Sequence, residues 1–246
     1  MTAAIATASN TWRPTIAAAC SGCKLRRHCF LASSPPGDDS VCADTVKRRF
    51  AVPRGDKLYR RNTPSKTLFQ VCSGSLKTQR ETPNGGLVVT GFFLPGDIVG
   101  IEAMADGHYP NDAIATADTE VCQLDFERLL ANCVTQPTLN TWMMSRMAVY
   151  IRRKDSDLCW STGLHTHQRV LRFFLDLYDR LGHVADTATE AHALPMRKQD
   201  IAYYLHMTPE TLSRNLAQLR RTGLLQVQHD RFTLPDADRA RVITQL

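Results

Sequence analysis

The feature that most constrains this 246-residue chain is the stretch 196–223, which predicts two short helices joined by a tight turn. Thr208 is a good N-cap for the second helix, Pro209 suits its first position, and Gly223 can adopt the left-handed conformation that ends a helix. The apolar residues of this helix share one stripe and are Leu212, Leu216 and Leu219. The second helix is therefore predicted to bury one face and expose the other.

The exposed face carries hydrogen-bonding groups suited to DNA bases. Arg214 can donate two hydrogen bonds to guanine, Glu210 can accept one from cytosine, and Ser213 can reach several base edges. An ordinary amphipathic helix would show the same periodicity. The preceding helix, which offers Ala202 for a close helix crossing and reaches Thr208 through a three-residue connection, favours a helix-turn-helix instead. Basic residues flank the exposed face and suit phosphate contacts: Arg197, Lys198, Arg220 and Arg221.

Residues 199–214 resemble the DNA-binding domain of the CRP/FNR family of bacterial transcription regulators. Glu210, Ser213 and Arg214 match the base-reading E-x-x-S-R of the FNR branch, which implies recognition of TTGAT-type half-sites in double-stranded DNA. His206 stands where the family's turn often carries glycine, and histidine tolerates a positive φ better than most residues. The predicted DNA-binding residues are Glu210, Ser213, Arg214, Thr208, Arg197 and Arg221.

The composition of the whole chain favours two domains and a polyanionic partner. With 43% hydrophobic residues the chain can form real cores, and the net charge of +6 with a pI near 9.0 suits nucleic acid. No apolar run approaches the roughly 18 residues of a membrane span, and Arg13 and Pro14 interrupt any export signal before Cys20. We therefore expect a cytoplasmic protein without a membrane partner, whose eight cysteines favour metal or redox chemistry over disulfides.

Three of these cysteines, Cys20, Cys23 and Cys29, are closely spaced on a polar segment with few apolar neighbours. Such spacing usually binds metal rather than packing in a core. Zinc would need a fourth ligand such as His28, whereas an iron–sulfur cluster would need a fourth thiolate. The candidates for that thiolate are Cys42, Cys72, Cys122, Cys133 and Cys159. The spacing alone leaves both metals open.

The spacing of the three cysteines, together with the remote Cys122, resembles the FNR oxygen sensor. That resemblance implies an oxygen-labile four-iron four-sulfur (4Fe-4S) cluster held by Cys20, Cys23, Cys29 and Cys122. The remaining cysteines are interpreted as ordinary buried or half-buried thiols: Cys42, Cys72, Cys133 and Cys159. Basic residues within the ligand loop would offset the cluster's negative charge, or else face solvent or DNA: Lys24, Arg26 and Arg27.

The segment 46–135 contains short apolar runs separated by glycines, which predicts an antiparallel roll or barrel. The family resemblance implies a cyclic-nucleotide-binding type of β-roll, since residues 94–102 are similar to its internal signature. Cys122 lies in the last predicted strand, where alternation can turn it toward the cysteine loop. Asp112 stands in the stretch where cyclic-nucleotide-binding relatives carry an arginine, so no cyclic nucleotide is expected.

Residues 136–163 show a helical pattern, which by resemblance is the dimerisation helix of a homodimer. Its predicted interface residues are Met143, Met147, Tyr150, Ile151, Lys154 and Leu158. The basic run 152–154 would meet its own copy across a two-fold axis, so the pair of helices is predicted to be marginally stable without the cluster. The family uses an acidic residue in this region, and here the acids are Asp155 and Asp157.

These observations predict an α+β protein in which a β-roll, a long dimerisation helix and a C-terminal winged helix-turn-helix follow one another. The predicted parts are a tail with the cysteine loop (1–45), the β-roll sensor (46–135), the dimerisation helix (136–163) and the DNA-binding domain (164–246). The resemblance implies that cluster binding promotes dimerisation and operator binding under anaerobic conditions, with RNA polymerase as a further partner.

Two alternative functions remain open within the same fold. The nearer one is a zinc- or thiol-based redox regulator, and the more distant one is a regulator that responds to a cyclic nucleotide. The sequence contains no phosphate loop, dinucleotide fingerprint or nucleophile motif, so an enzyme is not expected.

Overall fold

The computed structural model describes Cys23, Leu25, Cys29, Leu31 and the ranges 40–182 and 191–245. Within these ranges the chain forms a β-rich N-terminal domain, a long helix and a mostly helical C-terminal domain with a small sheet. The predicted α+β architecture is therefore confirmed. No helix in the described ranges combines the length and the apolar character needed to cross a membrane.

Two four-stranded antiparallel sheets form the β-roll. The first sheet contains, in spatial order, β1 (Val46–Val52), β8 (Thr119–Asp125), β3 (Thr67–Ser73) and β6 (Ile98–Val99). The second contains β2 (Lys57–Tyr59), β7 (Asp112–Ala115), β4 (Leu76–Glu81) and β5 (Leu87–Phe93). The hairpin between β4 and β5 turns at Gly85, which has a φ of +76°, a conformation that glycine adopts at little cost.

Alternation along the strands of the first sheet directs side chains into two separate cores. Phe69, Val71 and Val121 point into the roll and pack with residues of the second sheet. Leu68, Cys122 and Leu124 point to the outer face, where helices cover them. The outer face is thus the surface on which the N-terminal segment and the central helices pack.

Three helices surround this outer face. They are α1 (Ser40–Thr45), α2 (Phe126–Thr135) and α3 (Pro137–Gly163). The Asp125 carboxylate caps α2 by accepting hydrogen bonds from the backbone N–H groups of Glu127 and Arg128. Pro137 occupies the first turn of α3, whose 27 residues make a rod of about 40 Å.

The C-terminal domain is a winged helix-turn-helix. Its helices are α4 (Thr166–Gly182), α5 (Lys198–Tyr204), α6 (Pro209–Arg221) and α7 (Ala237–Ile243). Its sheet has the order β10 (Gln226–Gln228), β11 (Arg231–Thr233) and β9 (His192–Ala193). The β10–β11 hairpin agrees with the predicted wing. His192 follows a polar stretch of sequence without a strand pattern, yet it pairs with Phe232 in the structure. Residues 183–190 lie outside the described ranges.

The face of α3 differs from the predicted dimer stripe. Met143 is 4% exposed and belongs to the core under the first sheet, and Met147 packs against that core. Tyr150 donates a hydrogen bond to Glu102 at 2.8 Å, and Lys154 donates one to the Thr90 carbonyl. These four residues therefore contact their own β-roll within a single chain, and their role in a dimer interface stays a prediction.

Ile151 and Leu158, the other two predicted interface residues, are each 64% exposed and form with Met144 a stripe that lies about 70° around α3 from the residues that contact the β-roll. The basic run is also divided, since Arg153 forms an ion pair with Asp97 at 2.9 Å while Arg152 is exposed. The sequence prediction joined two neighbouring stripes of α3 into one interface because both contain apolar residues. Periodicity does not distinguish residues that contact their own chain from residues that are exposed.

Candidate DNA-reading helix and cysteine site

Helix α6 begins and ends at the residues that its sequence predicts. The Thr208 hydroxyl accepts a hydrogen bond from the Thr211 backbone N–H at 3.2 Å, which satisfies a free donor of the first turn. Gly223 follows the helix with a φ of +70°, a conformation that glycine adopts at little cost. His206 has a φ of +52° in the turn between α5 and α6, so it takes the left-handed conformation expected for that position.

The buried face of α6 holds the helix against α4 and α5. Leu212 and Leu219 are each 1% exposed, and Leu216 packs against the same core. Ala202 is fully buried at the crossing of the two helices, and its carbonyl accepts a hydrogen bond from the Met207 N–H at 3.0 Å. The position of the opposite face is therefore determined by a packed core and a closed turn.

The opposite face presents Glu210, Ser213 and Arg214 to solvent, all of them exposed. Hydrogen bonds from the backbone of Glu210 and from the Thr208 side chain lower the pKa of the Glu210 carboxyl, and the charge of Arg214 adds to this effect. Glu210 is therefore an ionised acceptor at neutral pH, as an interaction with a cytosine amino group requires. Arg197 lies at the start of α5 and Arg221 at the end of α6, both exposed beside this face.

The second candidate site lies on the outer face of the first sheet around Cys122. In the strand register, Cys122 of β8 stands between Arg49 of β1 and Gln70 of β3. Side chains of residues paired in this way point to the same face of a sheet. Cys122 is half-buried, and Gln70 is 1% exposed.

The described part of the cysteine loop lies on this same face. The Cys29 thiol donates a hydrogen bond to Gln70 Oε1 at 3.2 Å, and Cys29 and Cys122 pack against the same apolar core. Cys23 is hydrogen-bonded to Cys72, whose sulfur lies 3.3 Å from that of Cys122. Cys20 and the basic residues of the loop lie outside the described residues: Lys24, Arg26 and Arg27.

Hydrogen bonding among these thiols disfavours their ionised forms. The hydrogen bond to Cys72 and burial raise the pKa of Cys23 far above its usual range. The hydrogen bond to Cys122, with burial, raises the pKa of Cys72, and the guanidinium of Arg49 partly opposes both shifts. A metal that bound here would have to displace thiol protons, because thiolates are the ligands.

Cys72 is a member of this site that sequence reasoning assigned to the ordinary buried thiols. The alternation of Leu68, Gln70 and Cys72 places them on one face of β3, and this signal is visible in the sequence. The pairing of β3 with β8 is not visible, because the two strands are separated by most of the β-roll. Only that pairing brings Cys72 to Cys122.

The chemistry of this donor set fits a thiolate-bound anionic centre such as the implied iron–sulfur cluster. Thiol sulfur is the ligand that iron–sulfur clusters use, and Arg49 supplies positive charge beside it. The Nε2 of Gln70 is a buried donor that has no hydrogen-bond partner among the described residues, and Gln70 lies on the cysteine face. No three ligand-type side chains of the described residues are close enough together to hold a metal ion.

The cysteine face is connected to the start of α3 through one apolar core. Leu31 from the N-terminal segment is 1% exposed and packs in the same core as Leu139 and Met143 of α3. Cys29 of the N-terminal segment and Cys122 of β8 also pack against this core. A change in how the cysteine loop docks would therefore reach α3 through direct side-chain contacts.

A third feature, a cavity of about 410 Å³, lies between the β-roll, α3 and the DNA-binding domain. Tyr204 of α5 donates a hydrogen bond to Asp157 of α3 at 2.7 Å across one wall. Burial raises the pKa of Asp157 and lowers the pKa of Lys154, which lines the same cavity. Polar contacts thus join α3 to the DNA-binding domain.

Comparison with known proteins agrees with this architecture. Residues 49–135 match the cyclic nucleotide-binding domain, and residues 168–240 match the Crp-like helix-turn-helix domain. The transcriptional regulatory protein btr of Bordetella pertussis is 33% identical over 220 residues, which cover 89% of this chain and 90% of the relative. The chain belongs to the CRP/FNR family.

Other proteins with similar sequences are FNR proteins. The transcriptional activator protein FnrA of Stutzerimonas stutzeri is 30% identical, with 89% of both chains covered. The fumarate and nitrate reduction regulatory protein of Escherichia coli is 28% identical and covers 89% of this chain and 87% of its own. The family resemblance stated from the cysteine and helix-turn-helix motifs is thus confirmed.

Solved structures show the same fold as this CRP/FNR chain. FixK2 from Bradyrhizobium japonicum aligns with a TM-score of 0.72 at 24% identity, covering 81% of this chain and 98% of its own. A CooA mutant from Carboxydothermus hydrogenoformans aligns with a TM-score of 0.67 at 16% identity, covering 87% and 94%. Since the family consists of DNA-binding transcription regulators, α6 is the recognition helix of this protein.

Proposed function

We propose that this CRP/FNR regulator responds to oxygen through a 4Fe-4S cluster held by Cys20, Cys23, Cys29 and Cys122. The observation that carries the proposal is the position of Cys23 and Cys29 on the same sheet face as Cys122. An iron–sulfur cluster bound there would supply an oxygen-labile link between the cysteine loop and β8.

The chain's own residues would convert docking of the loop into a change at α3. Leu31 enters the core that Leu139 and Met143 share, so a tightly held loop stabilises one position of the first turns of α3. A coupling of about 1–3 kcal/mol between the loop and the dimer contact is enough for regulation of this kind. Release of the loop would remove that support.

A second copy of the chain is the partner that we assign to the exposed side of α3. Met144, Ile151 and Leu158 recur at intervals of seven and are each at least 60% exposed. This spacing matches one of the two seam positions of a coiled-coil heptad. Asp155 is exposed between Ile151 and Leu158, so two copies would bring like charges together and keep the dimer marginal without the docked loop.

The dimer would place two α6 helices in successive major grooves of a palindromic operator, with Glu210, Ser213 and Arg214 reading TTGAT-type half-sites. RNA polymerase remains a proposed partner. No cyclic nucleotide is expected, because the Asp112 carboxylate pairs with Lys57 at 2.6 Å in the stretch where a phosphate would need an arginine.

Iron analysis tests the proposed cluster. Anaerobically purified full-length protein should be brown and contain iron and acid-labile sulfide in equal amounts, and the Cys122→Ser variant should lose both. Cys133→Ser is the matched control, since Cys133 is a buried thiol in the same apolar core and is outside the proposed ligand set. A colourless protein that contains zinc, or a Cys122→Ser variant that keeps its iron, would reject the cluster.

Substitution of Arg214 tests the base-reading role of α6. Arg214→Ala should weaken binding to the specific operator by about 1–3 kcal/mol and relax specificity at one base pair, because a bidentate contact to guanine is lost. Arg197→Ala, a phosphate-contacting control, should weaken binding to specific and random DNA alike and lower the salt slope by about 1. Fluorescence anisotropy with the specific operator and with random DNA measures both affinities. If Arg214→Ala lost the same affinity for both DNAs, Arg214 would not read a base.

A further inference from the structure

Cys72 lies on the cysteine face of β3 by alternation with Leu68 and Gln70, and it stands at an irregular position of the strand. The register with β8 passes from the pair Val71–Val121 to the pair Ser73–Glu120, so Cys72 is the extra residue of a β-bulge. A bulge bends its strand and changes the direction of a side chain. Here the Cys72 sulfur lies 3.3 Å from the Cys122 sulfur, and Cys72 is 8% exposed.

This separation is that of two thiols in direct contact on neighbouring strands. A disulfide has an S–S length of about 2.05 Å, so the two sulfurs need to approach by a little over 1 Å. Because both thiols already point at each other from paired strands, small rotations of their side chains supply most of that movement. The contact is favourable for a bond between Cys72 and Cys122.

We propose that Cys72 and Cys122 form a reversible disulfide when a peroxide oxidises them, which makes Cys72 a second redox input. The inference rests on the proposed function in one respect, because the disulfide would also remove Cys122 from the proposed ligand set. Cys23, which is hydrogen-bonded to Cys72, would lose that thiol partner at the same time. Oxidation would therefore disrupt the cysteine site independently of any bound metal.

The reaction balances with one peroxide for each pair of thiols. Cys122, which is the less buried of the two, attacks the peroxide and becomes a sulfenic acid while the O–O bond breaks and water or an alcohol leaves. The Cys72 sulfur then attacks the sulfenic sulfur, and the displaced hydroxyl leaves as water with the Cys72 proton. The two thiols lose two electrons in total, the peroxide gains them, and a dithiol reductant reverses the bond.

The test uses metal-free, fully reduced, full-length protein exposed to hydrogen peroxide without oxygen. Mass spectrometry of peptides, after alkylation of the remaining thiols, should show the peptides of Cys72 and Cys122 joined, and dithiothreitol should separate them. Cys72→Ser should instead accumulate a Cys122 sulfenic acid that a dimedone probe labels. Cys159→Ser, which changes an exposed thiol of α3, should form the disulfide as the natural protein does.

Two results would overturn the inference. One is a peroxide-treated protein whose Cys72 remains fully alkylated while Cys122 is oxidised, and the other is a disulfide in which Cys122 pairs with a different cysteine. Circular dichroism of Cys72→Ser and Cys72→Ala verifies that the β-roll stays folded. The disulfide test and the iron analysis can fail independently. A protein that binds iron but forms no disulfide rejects this inference alone. A protein that forms the disulfide but binds no iron rejects the cluster alone.

Discussion

Replacing Asp97 with alanine is expected to lower the free energy of unfolding by about 3 kcal/mol, because it breaks a buried ion pair. Asp97 pairs with Arg180 at 2.6 Å and with Arg153 at 2.9 Å, and the side chains of Asp97 and Arg180 are only 16% and 17% exposed. Asp176 still contacts Arg180 at 3.3 Å, so the expected loss lies at the lower end of the range for such pairs. Urea denaturation of both proteins measures it.

Asp97 holds three parts of the fold together, which is why its removal has consequences beyond stability. Arg180 lies on α4 of the DNA-binding domain, Arg153 lies on α3, and the Leu94 N–H donates a hydrogen bond to the same carboxylate at 2.9 Å. We expect Asp97→Ala to free the orientation of the recognition helix and to increase proteolysis between α3 and α4. Glu127→Ala is the control, because the Lys66–Glu127 pair is 77% and 66% exposed and should change stability little.

The contribution of Asp97 should also depend on pH in a defined direction. Burial alone would raise its pKa, but the charges of Arg180 and Arg153 outweigh burial and hold the pKa below its usual value. A lowered pKa gives stability that is fully present above the unfolded value of about 3.9 and is lost as the pH falls through the folded value. The difference in unfolding free energy between the natural protein and Asp97→Ala should therefore shrink only below about pH 4. An undiminished difference at lower pH would contradict the ion-pair explanation.

Replacing Ile151 with glutamate is expected to raise the dimer dissociation constant by roughly 100-fold or more. Ile151 is 64% exposed in one chain, so each copy would lose about 1–2 kcal/mol of burial, and two glutamates would then face each other. Operator affinity should fall in parallel, because both recognition helices are needed for a palindrome. Sedimentation equilibrium measures the first effect, and anisotropy with the operator measures the second.

Two further variants make the dimer test specific. Asp155→Ala should lower the dissociation constant, since it removes a like charge from the same stripe. Val242→Glu changes a residue of similar exposure, 67%, on α7 of the DNA-binding domain and should leave dimerisation unchanged. If Ile151→Glu dimerised as tightly as the natural protein, the exposed stripe of α3 would not be the contact between copies.

The recognition helix could be predicted almost completely because its determinants are local. Thr208 and Gly223 specify where α6 begins and ends, and the leucine period specifies which face is buried. Helix capping and apolar periodicity act over one or two turns of helix, so a short stretch of sequence is enough to predict them. The same holds for the alternation along β8.

The composition of the cysteine site could be predicted only in part. Closely spaced cysteines predict a metal-binding loop by themselves, and the family resemblance added Cys122 to the prediction. Cys72 was not predicted to belong to the site because its contact with Cys122 depends on the order of strands in the sheet and on a bulge that shifts the register by one residue. Neither the pairing of distant strands nor the position of a bulge has a reliable short-range signal.

By itself, the amino-acid sequence determined the type of most elements, the α+β order of the domains and the side chains that we propose to face DNA, because capping, periodicity and turn chemistry act between neighbours in the chain. Only the tertiary structure decided which face of α3 contacts the β-roll, where the Asp97 ion pairs form and how Cys72 meets Cys122. Those contacts join residues that are distant in the chain, 50 positions apart for Cys72 and Cys122 and 83 for Asp97 and Arg180, and they arise from the way two sheets and a long helix pack together.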